Sequence, residues 1–243
     1  ISQTVGISKL NHSLLPSLQV WFVTNKCRSS VEYQKIVLHS KYLVSDFVIV
    51  DGDKLENMPQ TKPVVSIVNV VASASVDQRM DLNEITRTFP DVEYHPDQFP
   101  GLVFRLKSPK TATLIFSSGK MVCTGAKSEE MSRKAVQTVV QRLRKGGIKV
   151  KKDAVVEIQN IVASINLGGK IQLEQAARTL PRSMYEPEQF PGLIHRMLDP
   201  KTVILLFSSG KLVCTGAKKE PDVYRSVNNL HALLEEKNLM IYE

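Results

Sequence analysis

Two nearly identical phrases, "FSSGKMVCTGAK" at 116–127 and "FSSGKLVCTGAK" at 207–218, each set a lysine after a Ser-Ser-Gly turn and a cysteine three residues later. A Gly-Lys turn can cradle phosphate, and a cysteine can serve as nucleophile or metal ligand. The phosphate loop of nucleotide hydrolases needs a further glycine across four intervening residues and a Ser or Thr after the lysine. Neither phrase has them, nor does "LGGK" at 167–170. The cysteines are three, Cys27, Cys123 and Cys214. An odd number so widely spaced makes neither a disulfide framework nor a metal site. Cys123 and Cys214 hold the same place in the repeated phrase and read as small buried core residues. Five scattered histidines lack metal spacing, and no Ser, His and Asp occur in a recognisable catalytic context. Glu186 and Glu188 could be paired acids, but their Pro- and Gly-flanked loop suits a partner contact better. The chemistry on offer is binding, without a cofactor or a metal, and the chain is read as no enzyme.

The charge is consistent with that. The chain of 243 residues carries a formal net charge of +8. Most of it lies in residues 58–150, with 14 Lys/Arg against 8 Asp/Glu, whereas 151–243 has 12 against 11 and 1–57 has 6 against 5. A basic excess favours a polyanion through counterion release, although an acidic protein or membrane surface would also accept it. There is no apolar run near the ~20 residues that span a bilayer, and no secretory signal with a small-residue cleavage site. The reading is a soluble intracellular protein with no membrane partner.

The elements that must position these residues are written twice. A shift of 91 positions aligns 67–127 with 158–218 without a gap, and about half of the pairs are identical. "NVVAS" meets "NIVAS", "YHPDQFPGL" meets "YEPEQFPGL", and "SPKT" meets "DPKT". This period is too long for a solenoid unit and fits half of a pseudo-two-fold molecule. In each copy a β-branched run ("VVSIVNVVAS", "VVEIQNIVAS") predicts a strand. "DLNEITRTF" and "QLEQAARTL" predict short helices ending at Pro90 and Pro181. "FPGLVFRL" and "TATLIFSSGKMVCTG" predict strands, the second a hairpin turning at "SSGK". From Ser128, a predicted N-cap, Met131, Ala135, Val139 and Leu143 recur every four residues until Gly146 closes a long helix. "EPDVYRSVNNLHALLEEKN" is its counterpart. Each copy is therefore a mainly antiparallel sheet with a helix across one face. Alternation puts Leu114, Phe116, Lys120, Val122 and Thr124 on one side and Ile115, Met121 and Cys123 on the other. The side away from the helix would expose an apolar patch rimmed by lysines, which implies a partner surface, or else a second packing layer.

The paired "FSSGK-x-VCTGAK" and "QFPGL" phrases, with "YEPEQFPGL" and the repeat length, resemble the TATA-binding protein family in its archaeal form from about Met58 to Glu243. The resemblance implies an α+β fold, a pseudo-two-fold saddle. Its two repeats, 58–150 and 151–243, join in one curved antiparallel sheet with helices on the convex face. It implies a general initiation factor that binds the minor groove of a TATA box, kinks promoter DNA, and recruits transcription factor B and RNA polymerase. The place of action would be the cytoplasm at the nucleoid if archaeal, the nucleus if eukaryotic.

On that resemblance Val71, Val122, Val162, Val213, Leu114 and Leu205 form a surface that tolerates A·T edges and penalises the guanine amino group. Asn69 and Asn160, with Thr124 and Thr215 beside them, donate to the groove acceptors near the pseudo-dyad; capping of local turns is their alternative use. Phe99 with Phe116, and Phe190 with Phe207, are the wedges, the alternative being core burial. Arg105, Lys120, Lys127, Arg196, Lys211 and Lys218 match across the repeats as phosphate contacts, or are solvated charges. Glu186 and Glu188 match the acidic loop that binds transcription factor B. Gln189 stands where the eukaryotic form has Leu, and His95 replaces Glu186 in the first copy. Val68 departs from the usual Gln, which Gln159 keeps. A binding module for an acidic protein, without DNA, would have no use for four such phenylalanines. Residues 1–57, with Trp21, fall outside the resemblance and are read as upstream sequence translated in frame, with Met58 as the start, the alternative being a lineage-specific extension or a tag.

Overall fold

The computed structural model describes residues 62–242. The expectations for residues 1–57 and for Met58 as the start lie outside the described residues. The first copy comprises β1 (Val64–Ser75), α1 (Leu82–Thr88), β2 (Gly101–Leu106), β3 (Thr111–Phe116), β4 (Lys120–Ala126) and α2 (Glu129–Lys145). The second comprises β5 (Val155–Asn166), β6 (Lys170–Ile171), α3 (Leu173–Thr179), β7 (Ser183–Met184), β8 (Leu193–Arg196), β9 (Val203–Leu206), β10 (Lys211–Ala217), α4 (Glu220–Glu236) and β11 (Met240–Ile241).

The helices start and stop for local reasons. Ser128 Oγ accepts the Met131 amide at 3.0 Å, capping α2 as its sequence predicts, and Glu129 and Glu130 lie against the positive end of the helix dipole. Asp81 caps α1 through the amides of Asn83 and Glu84. At the far end of α2 two glycines divide the work. Gly146 sits at an ordinary φ of −77°, and Gly147 takes the left-handed turn at +88°. A Cβ on Gly146 would lie 2.4 Å from Phe89 Cζ, so close packing is what requires glycine there.

Nine strands form one sheet in the order β2-β3-β4-β1-β5-β10-β9-β8-β7. β1 and β5, equivalent strands of the two copies, pair antiparallel at its centre, with Asn69 opposite Val162 and Val71 opposite Asn160. A shift of 91 turns each of these pairs into the other, so the pseudo-two-fold axis passes between them. The long helices meet near it, where Glu129 of α2 accepts the amide of its own repeat image, Glu220 of α4, at 3.2 Å.

Each long helix covers its half of one sheet face. Ile115, Met121 and Cys123 pack with Val136, Val139 and Leu143 in the first core cluster, and Ile204, Leu212 and Cys214 with Val227, Leu230 and Leu234 in the second. Val70, Ala72 and Ala126 of the first copy belong to the second cluster, and Val156 packs against both, so the cores are continuous across the centre. Truncating a fully buried leucine such as Leu143 or its image Leu234 to Ala costs about 2–5 kcal/mol, the usual range for a core cavity. The two described cysteines are core residues. Burial pushes the Cys214 thiol up to about 12 and raises that of Cys123 as well, so neither supplies a thiolate.

Candidate nucleic-acid interface

The other face of the sheet carries no helix. Directly opposed residues on antiparallel strands project to the same side. Val103, Leu114, Val122 and Ser73 form one such rung across β2, β3, β4 and β1. Ile194, Leu205, Val213 and Ser164 form its image across β8, β9, β10 and β5. The Leu114–Val122 pairing bears out the alternation read across the hairpin.

The outer end of each half carries an aromatic pair. Phe99 and Phe116 meet edge to face with ring centroids 5.8 Å apart at 67°, and Phe190 and Phe207 repeat this at 5.9 Å and 69°. All four rings are half-buried, and none belongs to a core cluster. Gly101 and Gly192 make this possible. A Cβ on either would lie 2.6 Å from one ring and 3.0 Å from the other. Both glycines come from the repeated "QFPGL" phrase, whose recurrence was the available signal for a role that residue type alone does not reveal. Gly119 and Gly210, at φ of +81° and +76°, turn the hairpins that bring Phe116 and Phe207 to the same end as Phe99 and Phe190.

Near the pseudo-dyad, Asn69 donates from Nδ2 to Thr124 Oγ1 at 3.2 Å, and its Oδ1 accepts the Gly125 amide at 2.8 Å. Asn160 does the same with Thr215 and Gly216 at 3.0 and 2.7 Å. The turn-capping use held open for these asparagines is thus present in both copies. A carboxamide carries two N–H bonds and Thr takes one, leaving a second for a groove acceptor. Gly125 and Gly216, at φ of +93° and +96°, are the bulge positions that let the amide turn inward.

Lys120, Lys127, Lys211 and Lys218 are exposed. Arg105 is instead held by Glu93, its Nε 3.1 Å from Oε1, while Met184 stands at the position equivalent to Glu93 in the Arg196 half. One expectation is corrected. Val71 and Leu114 are only 1% exposed, and Thr124 and Asn160 are also buried, so the apolar patch is less open than alternation implied. Leu114 lies between Val103 and Val122 on its rung, and Val71 sits at the irregular centre of β1, so neighbours close over both. Val122, Val162, Leu205, Val213 and Thr215 are half-buried.

Glu186, Glu188 and Gln189 are exposed on the turn before Phe190. The Glu186 carbonyl accepts the amides of Gln189 and Phe190, both at 2.9 Å, and the His95 carbonyl does likewise for Gln98 and Phe99. Among the described residues no three His, Cys, Asp or Glu side chains gather as metal ligands, and no helix is long and apolar enough to cross a membrane. A hollow of about 490 Å³ beside residues 78–84 and 147–151 is lined by Arg79, Asp81, Glu84, Lys149 and Lys151, with no Ser, Thr, Cys or His among its lining residues.

The family described as "Transcription factor TFIID (or TATA-binding protein, TBP)" matches residues 64–146 and again residues 155–237. The chain belongs to the TATA-binding protein family. A TATA-box-binding protein of Pyrodictium occultum is 56% identical over 177 residues, covering 73% of this chain and 89% of that one. One from Sulfurisphaera tokodaii is 50% identical over 184 residues, covering 75% and 93%. Among solved structures, that of the Methanococcus jannaschii TATA-binding protein matches with a TM-score of 0.66 at 45% identity, over 71% of this chain and 98% of that one. The resemblance read from the repeated phrases is therefore correct, as is the α+β saddle fold it implied. TATA-binding proteins are DNA-binding transcription factors and not enzymes, which disposes of the catalytic alternatives.

Proposed function

We propose that this chain initiates transcription by seating the helix-free face of its sheet in the minor groove of a TATA-type promoter, each repeat (58–150 and 151–243) addressing one half of the site. The observation that carries this reading is the duplicated aromatic pair, set with the same geometry at each end of a face that no helix covers. TATA-binding proteins are themselves the type example of wedging, in which apolar side chains enter between base steps and kink the duplex. Phe99 with Phe116 is suited to one kink and Phe190 with Phe207 to the other. Between them Val122, Val162, Val213 and Leu205, backed by the buried Val71 and Leu114, offer no acceptor to a guanine amino group and tolerate the acceptor-only edges of A·T pairs. Asn69 and Asn160 can donate a second amide hydrogen to those acceptors, beside Thr124 and Thr215. Arg105, Lys120 and Lys127, with Arg196, Lys211 and Lys218, complete the site at the phosphates. Glu186, Glu188 and Gln189, exposed on the turn before Phe190, suit a basic surface of transcription factor B, through which RNA polymerase would be recruited. The work would take place at an archaeal nucleoid.

A gel-shift titration of the full chain tests the DNA reading. A TATA duplex should bind more tightly than one in which two central A·T pairs are replaced by G·C, each replacement costing about 1–3 kcal/mol. Equal affinity for the two duplexes would overturn it.

A further inference from the structure

The first-copy rung carries two carboxylates whose repeat images are uncharged: Glu93, opposite Val103 and ion-paired with Arg105, against Met184, and Glu157 against Ser66. Glu157 on β5 stands directly opposite Ser73, which stands opposite Val122, so it extends the first-copy rung of Val103 and Leu114 and shares their face. It is exposed, and it is held in place. Gln159 Nε2 donates to Glu157 Oε2 at 3.1 Å and to Ser73 Oγ at 2.7 Å, while Lys218 Nζ donates to Gln159 Oε1 at 3.4 Å. Across the pseudo-dyad the corresponding rung ends in Ser66, opposite Ser164, which stands opposite Val213. Val68 takes the place of Gln159. Lys120 and Lys211, Val122 and Val213, Thr124 and Thr215, and Phe116 and Phe207 keep their character from one half to the other. Two pairs on these rungs differ in charge, Glu93 with Met184 and Glu157 with Ser66; Arg105 offsets the Glu93 charge, whereas Glu157 accepts from the neutral Gln159.

We propose that Glu157 is a polarity-determining residue, biasing which end of an asymmetric duplex lies against which repeat. The inference rests on the DNA reading above. A carboxylate only accepts hydrogen bonds, and it faces a ligand whose A·T groove edges and phosphates also only accept. Its cost is therefore largest against the half of the site with the most negative groove. An A-tract has that property, its narrow minor groove concentrating negative potential, whereas TA steps are flexible. Glu157 belongs to a second-copy strand but ends the first-copy rung, so its contribution opposes placing an A-tract along that rung, on the side of Val122 and Leu114. Ser66, uncharged, ends the second-copy rung and imposes no such cost there. An exposed charge of this kind shifts a ratio by about two- to five-fold.

The test uses the full chain and a duplex with alternating TA steps in one half and an uninterrupted A-tract in the other. A donor dye joined enzymatically to the C-terminus and an acceptor at either duplex end report the two orientations as two transfer efficiencies. Exchanging the residues, Glu157→Ser with Ser66→Glu, leaves net charge and composition unchanged and moves the carboxylate to the other half. Both positions are exposed, so the fold should tolerate the exchange. Relative to wild type, Glu157→Ser alone should raise the population with the A-tract on the first repeat by about two- to five-fold, and the exchange should raise it further. Added salt should shrink both shifts by screening. An unchanged ratio in variants that still bind the duplex, or a shift the other way, overturns the proposal. If the wild-type chain does not prefer the TATA duplex in the gel-shift titration, the underlying DNA reading fails first and this inference falls with it.

Discussion

Phe99 and Phe190 can lie across a strand only because the residue beneath each ring has no Cβ, and the same dependence on one neighbour recurs at His195. The imidazole is 5% exposed, on β8, at the position equivalent to Phe104 of the first core. Its Nδ1 lies 3.0 Å from Ser183 Oγ. Burial, with a smaller contribution from the Arg182 charge, holds its pKa below the ordinary value of 6.5. A folded pKa below the unfolded one means that the unfolded chain takes up a proton first as the pH falls. The stability due to a neutral ring is thus fully present above about pH 6.5 and is lost as the pH drops through the folded value. Thermal melts should show Tm falling between pH 7 and pH 5. In His195→Phe, which places the ring of Phe104 at the equivalent site, that fall should be shallower. Parallel pH profiles for the two proteins would clear His195 of the effect.

At the scale of an element, the turn 185–190 joins two roles. Its backbone fixes Phe190 through the Glu186 carbonyl, while the Glu186 and Glu188 carboxylates point to solvent. The side chains can therefore be changed without disturbing the hydrogen bonds that hold Phe190. Glu186→Arg with Glu188→Arg should leave binary DNA affinity within about two-fold, because exposed substitutions away from the contact face cost little. Assembly with transcription factor B should weaken by tenfold or more, in the manner of a charge reversal at a complementary interface, on the order of a kcal/mol or more. Gel shifts with and without that factor separate the two effects. Parallel loss of both activities would mean that the turn itself has been damaged, or that its surface is not the contact. The first-copy turn has the same backbone bonds but carries His95 and Asp97, so the two copies share the turn geometry and differ in the charge they present there.

For the whole molecule, the central β1–β5 pairing makes one continuous sheet whose aromatic pairs lie at opposite ends. On the proposed reading each pair makes its own kink, which predicts separable mutants. Phe99→Ala with Phe116→Ala should remove bending at one end and weaken binding by tens- to thousands-fold, taking each lost base–aromatic stack as ~1–3 kcal/mol. The salt slope of affinity should hardly change, since no phosphate contact is touched. Lys120→Ala with Lys211→Ala should flatten that slope by about two phosphates' worth and keep the bend. Energy transfer between dyes at the duplex ends, with affinities at several salt concentrations, reads both quantities. A folded Phe99/Phe116 variant that bends DNA as fully as wild type would return those rings to a packing role.

The sequence by itself determined whatever is local or written twice. The 91-residue repeat, the β-branched strands, the Ser128 cap, the hairpin at Gly119 and the sharing of one face by Leu114 and Val122 all follow from short-range chemistry and periodicity. The ring pairs were legible as candidates because "QFPGL" and "FSSGK" recur, although the glycines that admit the rings were not. Tertiary structure alone decided what depends on partners far along the chain. The ladder that joins β1 to β5 uses backbone groups common to all residues, so side-chain types do not announce it. That pairing sets Asn69 opposite Val162 and carries Glu157 onto the face of Val122. Burial of Val71 and Leu114 depends on the neighbours that the sheet brings beside them, the capture of Arg105 on Glu93 across the β2 edge, and that of Asn69 on an amide 56 residues away. Periodicity reports which side of a strand a residue takes, and only the assembled sheet reports what stands next to it.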